Sequence, residues 1–310
     1  MRICSLLPSA TEIVCALGAA SDLVGVTHEC DYPPEAAGFP KITRSNIPSG
    51  LSSRAIDSAV TESLNSAGSL YELDLELLQT LCPDLILTQR LCDVCAVSYD
   101  RVQEAVRALP SGPRVLNLEP HSLEEILENI RTVGRAIGRG AAAEEVIGSL
   151  RRRIARISAR TANLPVRPRT LCLEWVDPPF CGGHWMKELV DLAGGRDDLA
   201  KLHRPSCRIE WDQVREFAPE VLVLTCCGFP LERCRAEAAL LATFEGAADL
   251  PAARSGRVYA TDGSAFFARP GPRIVEGLEI LAHLIHPGLF APPSLDAAFA
   301  RVDLTPVAQL

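Results

Sequence analysis

The sequence predicts an α/β protein of two similar lobes that are joined by a long helix. The first observation is an internal repeat, in which residues 75–88 have a counterpart in residues 211–225. Each segment combines an apolar helical pattern, a proline (Pro83 or Pro219) and a short apolar run. The second observation is that strand-like and helix-like segments alternate in both halves, which is typical of parallel sheets. Two such lobes imply a cleft in which a ligand binds.

Composition predicts a folded chain, and it argues against a nucleic-acid partner and against a membrane-spanning segment. Of its 310 residues, 47% are hydrophobic and 23% charged, which suffices for two domains with their own cores. A net charge of −8 argues against nucleic acid, because phosphate binding requires clustered Lys and Arg. No stretch reaches the roughly 20 apolar residues of a membrane span. The segment 1–8 is too short for an apolar export segment, so a cytoplasmic location is predicted.

The first lobe is predicted over residues 1–120. A strand at 3–6 precedes a helix whose start is assigned to a capping box of Ser9 and Glu12 and whose end is assigned to Gly18. The remaining elements are a strand at 23–26, a Pro- and Gly-rich loop at 31–50, helices at 55–67, 73–81 and 99–109, and strands at 85–88 and 115–118.

A helical linker is predicted over residues 121–166, because apolar residues recur there at helical spacing. Gly138 and Gly140 divide it into two helices, and a helix of about 20 residues is about 30 Å long. The second lobe is predicted over 167–290 and a C-terminal tail over 291–310. Its elements are strands at 171–175, 221–225 and 258–261 and helices at 185–192 and 273–286.

Four motifs, taken in order and spacing, give the chain a resemblance to a known family. They are SLLPSATE (5–12), PDLIL (83–87), GGHWMKELVDLAGG (182–195) and DGSAFFARPGPR (262–273). The chain resembles the substrate-binding proteins of ABC importers for iron complexes and vitamin B12, the helical-backbone metal receptor superfamily, and within it the cobalamin-binding branch. The resemblance implies two Rossmann-like lobes joined by a long interlobe helix (class III periplasmic-binding-protein-like), with a tetrapyrrole or metal chelate in the cleft.

Thiol and imidazole side chains follow several predicted strands, where ligands of parallel sheets bind. Thiolate and imidazole together suit a soft metal such as Zn or Fe. The predicted metal ligands are His28, Cys30, Cys92 and Cys95, with Cys181 as a further candidate. His28 and Cys30 would point to one side of an extended loop. The alternative interpretation is a set of reduced core thiols beside a hydrogen-bonded histidine.

A corrinoid or related tetrapyrrole would need flat apolar walls and an axial ligand, which His184 or His28 could supply. The candidate walls are aromatic residues beside predicted loops: Tyr71, Trp175, Phe180, Trp185, Phe266 and Phe267. Arg44 and Arg269 could meet acidic groups of the ligand, and Ser9 is a further ligand-binding candidate. The alternative is that the aromatic residues pack the lobe cores.

The resemblance also implies docking to a membrane permease through one surface carboxylate on each lobe. Glu76 and Asp212 each lie seven residues before the proline of the repeat, where those carboxylates would be. The alternative is that both are ordinary first-turn acids, which favour the positive end of a helix dipole.

We expect a cytosolic binding protein that holds a corrinoid or another metal-containing ligand in the interlobe cleft. One alternative is a metalloenzyme, metal sensor or metal chaperone that uses a Cys/His-bound soft metal, and another is the substrate-binding component of an ABC importer. Binding is favoured over catalysis, because the sequence contains no nucleophile elbow and no phosphate loop.

Overall fold

The computed structural model describes residues 1–66, 70–91, 97–295 and 298–304. The chain divides into two compact units: unit 1 is Met1–Pro120 with Glu124–Ser149, and unit 2 is His121–Leu123 with Leu150–Leu310. Within the described ranges, no helix combines the length and apolar character needed to cross a membrane.

Unit 1 is organised around a parallel sheet. Its strands are β1 (Ile3–Ser5), β2 (Leu23–Val26), β3 (Thr43–Ser45), β4 (Tyr71–Leu73), β5 (Leu85–Thr88) and β6 (Arg114–Asn117). The first helices are α1 (Pro8–Ala16), α2 (Ser53–Ser66), α3 (Leu75–Leu81), α4 (Tyr99–Ala108) and α5 (Leu123–Ala136). Four strands pair in the order β2-β1-β5-β6, all parallel, and β3 pairs with β4 as an antiparallel ribbon.

The central strands β1 and β5 are buried along their whole length, as expected for strands covered on both faces. Their apolar runs explain why the sequence predicts them. The ribbon of β3 and β4 was not predicted. Its strands are three residues long, half-exposed or exposed at most positions, and paired across nearly thirty residues of chain, so neither has a local apolar signal.

Helix α1 begins differently from the prediction. The capping box of Ser9 and Glu12 is wrong, because the helix starts at Pro8 with Leu7 as its N-cap and without a side-chain cap. Proline suits this first position, since its fixed φ is helical and its missing N–H has no partner to lose. Gly18, with φ +71°, follows the helix as predicted.

Unit 2 contains most of the remaining elements, and the chain enters it within helix α6 (Gly140–Thr161). Its strands are β7 (Thr170–Trp175), β8 (Phe180–Cys181), β9 (Cys207–Arg208), β10 (Val221–Leu224), β11 (Val258–Thr261) and β12 (Phe299–Arg301). Its helices are α7 (Met186–Leu192), α8 (Trp211–Phe217), α9 (Leu231–Leu241), α10 (Pro251–Arg254), α11 (Gly263–Phe266) and α12 (Ile274–Ile285). The sheet order is β12-β11-β10-β7-β8-β9. Strands β7, β10 and β11 are parallel, and β8, β9 and β12 add antiparallel pairs.

The internal repeat extends to the hydrogen bonds of the two units. In unit 1 the Arg2 carbonyl accepts from the Asp84 amide (2.8 Å), and the Arg2 amide donates to Asp84 Oδ2 (2.7 Å). In unit 2 the Arg169 carbonyl accepts from the Glu220 amide (2.7 Å), and the Arg169 amide donates to Glu220 Oε2 (3.0 Å). The same connection therefore joins the helix–strand segment to a neighbouring strand in each unit.

Candidate functional site

A turn after β2 places His28 at the carboxyl edge of the unit 1 sheet. Its backbone amide donates to Thr43 Oγ1 (3.1 Å), and its Nδ1 lies 2.8 Å from the same hydroxyl. The imidazole centroid is 5.5 Å from the ring centroid of Tyr71. Strands β3 and β4 supply these two neighbours, so the unpredicted ribbon brings together two predicted site residues.

The environment of His28 keeps its imidazole neutral. Burial lowers the pKa of His28, and the positive charge of Lys41 lowers it further. Lys41 is held in place because its Nζ donates to the carbonyls of Cys30 (2.8 Å) and Ala36 (3.1 Å). The neutral form of histidine is the form that coordinates metals.

The predicted Cys/His metal set is not assembled by the described residues. Residues 27–30 form a turn closed by the Cys30 amide and the Thr27 carbonyl (3.1 Å), so the expected extended loop is wrong. The Cys30 sulfur instead lies 3.1 Å from Thr11 Oγ1. Cys92 and Cys95 fall outside the described ranges. Within those ranges, no group of three or more His, Cys, Asp or Glu side chains is arranged to hold a metal ion.

Two further candidates of unit 1 are held by local contacts. Ser9 is buried in α1. Arg44 is exposed, and its Nε donates to Glu72 Oε2 (2.6 Å) across the β3–β4 ribbon. The Arg44 charge therefore already has a partner within the unit.

In unit 2, the loop after β8 places His184 among other rings. His184 has a left-handed backbone (φ +51°). Its amide donates to the Arg204 carbonyl (2.5 Å), and its carbonyl accepts from the His203 amide (3.2 Å). Its ring centroid is 5.7 Å from that of His121 and 5.6 Å from that of Trp185. The structure thus groups three histidines in one unit.

The imidazole of His184 is also kept neutral. Burial lowers the pKa of His184, and the electrostatic influence of neighbouring His121 lowers it further. Its Nδ1 is buried and forms no hydrogen bond within the described part of the chain. His121 was missed by the sequence analysis, although it follows β6 closely and the strand-end rule would have found it.

The predicted aromatic walls of unit 2 divide into buried and half-buried residues. Trp185 is 5% exposed, and its Nε1 donates to the Phe267 carbonyl (3.0 Å). Phe266 and Phe267 are 8% and 2% exposed. Trp175 and Phe180 are half-buried. The first three side chains therefore contribute to the core of the unit, and the last two keep some surface for contact.

The remaining candidates of unit 2 lie in polar or thiol surroundings. Arg269 is 7% exposed, and its Nη2 donates to Ser264 Oγ (3.2 Å). Cys181 is 1% exposed, and its sulfur lies 3.3 Å from the sulfur of Cys207. Cys181 is thus placed against another thiol.

A half-buried carboxyl group, that of Glu174, lies near the end of β7. Glu174 Oε1 accepts from the Gly183 amide (3.0 Å), and its carboxyl group also bonds to the Ser206 side chain. Burial raises the pKa of Glu174 to about 7, against which these hydrogen bonds act. Glu174 therefore connects β7 to the loops before α7 and β9.

The predicted docking carboxylates hold equivalent local positions. Glu76 is exposed in the first turn of α3, whose N-cap Asp74 accepts from the Leu77 amide (2.9 Å). Asp212 is exposed in the first turn of α8 and accepts from Arg215 Nη2 (2.6 Å). Both helix starts are thus stabilised, with their acidic side chains at the surface.

Comparison with known proteins identifies relatives along nearly the whole chain. A family model described as "Periplasmic binding protein" matches residues 3–265. The vitamin B12-binding protein of Vibrio cholerae is 24% identical over 279 residues, which cover 90% of this chain and 86% of that protein. An uncharacterized ABC transporter substrate-binding lipoprotein of Bacillus subtilis is 24% identical and covers 93% and 81%.

Solved structures show the same fold. A periplasmic heme-binding protein from Pseudomonas aeruginosa has a TM-score of 0.73 at 23% identity and covers 99% of both chains. The periplasmic vitamin B12-binding protein of Vibrio cholerae has a TM-score of 0.67 at 22% identity and covers 92% and 96%. The predicted fold class and family resemblance are confirmed.

Two other expectations need correction. The predicted cytoplasmic location is wrong, because the relatives are periplasmic proteins or a lipoprotein. The prediction of a cytoplasmic location rests on residues 1–8. Within them, Ile3–Ser5 form a fully buried strand of the folded core, so this segment carries no information about export. A bare Zn or Fe ion is likewise unsupported, since the described residues show no metal cluster and the Vibrio cholerae and Pseudomonas aeruginosa relatives are named as vitamin B12-binding and heme-binding proteins.

Proposed function

Because the chain belongs to the periplasmic binding protein family, we propose that it is the substrate-binding component of an ABC importer. Its ligand is a metal-containing tetrapyrrole, either a corrinoid or heme. The protein works outside the cytoplasmic membrane, binds the ligand and delivers it without chemical change.

The observation that best supports this ligand class is the pair of His28 and Tyr71, whose ring centroids are 5.5 Å apart. Imidazole and phenol are both axial ligands of heme iron in proteins. Nδ1 of His28 faces the hydroxyl of Thr43, so Nε2, which lies 3.9 Å from Glu29 Oε1, is the nitrogen that would contact a metal. A hydrogen bond that fixes one ring nitrogen in this way is typical of metal-binding histidines.

His184 is the corresponding candidate of unit 2. It is half-buried, its pKa is lowered, and its Nε2 is the nitrogen left for a ligand because Nδ1 is buried. Trp175 and Phe180 lie at the ends of neighbouring strands with part of their surface exposed, which suits contact with a flat ring system.

Delivery to the importer is assigned to Glu76 and Asp212, which are exposed at equivalent helix starts. A carboxylate on a helix surface can pair with an arginine of a partner, and such pairs determine orientation and the rate of encounter.

A thermal unfolding assay tests the ligand class. Heme or cyanocobalamin at about 100 times its dissociation constant would stabilise the folded protein by about 2.7 kcal/mol. This corresponds to a rise in melting temperature of roughly 5–10 °C. Metal-free protoporphyrin is the control and should give a smaller rise. If neither heme nor cyanocobalamin raises the melting temperature, the proposal is wrong.

A further inference from the structure

Two thiols of unit 2 lie directly opposite each other at the edge of its sheet. Cys181 on β8 pairs with Cys207 on β9 in the antiparallel register, and their sulfur atoms are 3.3 Å apart. Opposite residues in an antiparallel pair have Cα atoms about 4.5–5.5 Å apart. This separation falls within the range of about 4.4–6.8 Å found for disulfides. The backbone therefore already holds the two cysteines at a distance that a disulfide can bridge.

We propose that Cys181 and Cys207 form a disulfide that closes the loop 182–206 and fixes β9 at the sheet edge. The inference relies on the proposed function only for the location outside the cytoplasm, where thiols meet an oxidising environment. Strand β9 is two residues long and is the terminal strand of the sheet.

The two thiols differ in a way that assigns their roles in the reaction. Cys207 is exposed, whereas Cys181 is buried, and burial raises the pKa of Cys181 to about 12. The Cys207 thiolate attacks an external disulfide such as glutathione disulfide, forms a mixed disulfide and releases one thiolate. The Cys181 sulfur then loses its proton, attacks the Cys207 sulfur and releases the second thiol. Two protein thiols are oxidised, and one external disulfide is reduced to two thiols.

The contacts that the Cys181 thiol makes before oxidation do not oppose this step. Its sulfur is 3.5 Å from the Cys207 carbonyl and 3.7 Å from the Leu199 carbonyl, which are long contacts for a weak donor. The residues that flank the two cysteines also lie close together, since a Cβ atom on Gly183 would lie 2.0 Å from the Ser206 amide nitrogen. Forming the bond therefore needs little change in the backbone.

The loop that this bond would close contains His184. The His184 amide donates to the Arg204 carbonyl (2.5 Å), and the His203 amide donates to the His184 carbonyl (3.2 Å). A disulfide at the base of the loop limits the separation of these two segments. The oxidation state of the thiol pair therefore controls how far the loop 182–206, which contains His184, can move.

Peptide mapping tests the proposal on the purified full-length chain. After incubation with glutathione disulfide, tryptic peptides 170–187 and 202–208 should be recovered as one linked species, and fragmentation should place the link at Cys181 and not at Cys172. Oxidation should raise the melting temperature by roughly 5–10 °C and slow amide exchange in 182–206, and dithiothreitol should reverse both effects.

Variants separate this bond from other thiol chemistry. Cys207→Ser changes an exposed residue and should abolish both the linked species and the rise in melting temperature. Cys82→Ser removes another exposed thiol and should change neither. The proposal is overturned if both thiols remain open to alkylation after oxidation, if Cys207 links to another cysteine, or if it stops at the glutathione adduct. None of these outcomes depends on tetrapyrrole binding.

Discussion

Cys82 and Ala218 adopt the same left-handed backbone conformation, with φ of +39° and +49°, each one residue before a proline. Each residue ends a seven-residue helix, α3 or α8, and precedes a buried parallel strand. Residues other than glycine rarely adopt this conformation, because the Cβ atom crowds the backbone. The repeat of the sequence is thus a repeat of backbone geometry, including its strained residue.

Relief of this strain gives a stability prediction. Ala218→Gly should raise the free energy of unfolding by about 0.5–1 kcal/mol, because glycine adopts positive φ without a steric penalty. Ala239→Gly, at an exposed position within α9, should lower it by about 1 kcal/mol. Urea denaturation followed by circular dichroism measures both. Equal losses for the two variants would contradict the strain argument.

An ion pair between helices α6 and α12 should contribute to the stability of unit 2. Arg153 Nε and Nη2 donate to the two carboxylate oxygens of Glu279 at 3.0 and 2.7 Å, and both side chains are less than one-third exposed. Glu279→Gln leaves the guanidinium without its counter-charge and should cost about 1–3 kcal/mol. Glu232→Gln removes an 80% exposed partner of Arg235 and should change stability by less than about 0.5 kcal/mol. Equal effects in urea denaturation would argue against a structural role.

Glu174 predicts a specific pH dependence of stability. Its pKa is raised from 4.5 to about 7 in the folded chain, so the fold favours the protonated carboxyl group. The stabilisation is complete below pH 4.5 and is lost as the pH rises through about 7. Glu174→Gln cannot ionise, so its unfolding free energy relative to wild type should rise by about 3 kcal/mol across this window. A difference that stays flat with pH would show that Glu174 does not titrate in the fold.

The exposed carboxylates Glu76 and Asp212 should affect delivery and not ligand binding. A double variant, Glu76→Gln with Asp212→Gln, should keep its melting temperature and ligand affinity. The concentration of loaded protein that gives half-maximal ATP hydrolysis by its importer should rise about tenfold. Glu232→Gln serves as the matched surface control. An unchanged concentration for the double variant would remove both residues from the docking surface.

The sequence predicted the parts of the fold that have a local signal. Buried strands such as Leu85–Thr88 and Val221–Leu224 form continuous apolar runs, and positions such as Gly138, with φ +71°, mark helix ends. Strands β8 and β9 are two residues long. They exist because the tertiary fold pairs them, so no local pattern could reveal them.

The candidate site was predictable only in part for the same reason. The strand-end rule selected His28 and His184, but not the Thr43 hydroxyl that fixes His28, because that contact depends on the unpredicted ribbon. Proximity to loops also could not separate Trp185, which is buried, from Trp175, which is half-buried. Burial is decided by packing, and a single sequence does not specify it at these positions.

An absorption titration tests most directly whether this chain binds a metal-containing tetrapyrrole through a neutral histidine. Heme or cyanocobalamin added to the purified protein should give a saturable change in the visible spectrum, with a dissociation constant below about 1 μM. His28→Ala should weaken binding at least about tenfold and alter the spectrum of the bound ligand, whereas the control His283→Asn, at a side chain bonded to the Phe290 carbonyl, should change neither. If neither ligand gives a saturable spectral change, the chain does not bind a metal-containing tetrapyrrole.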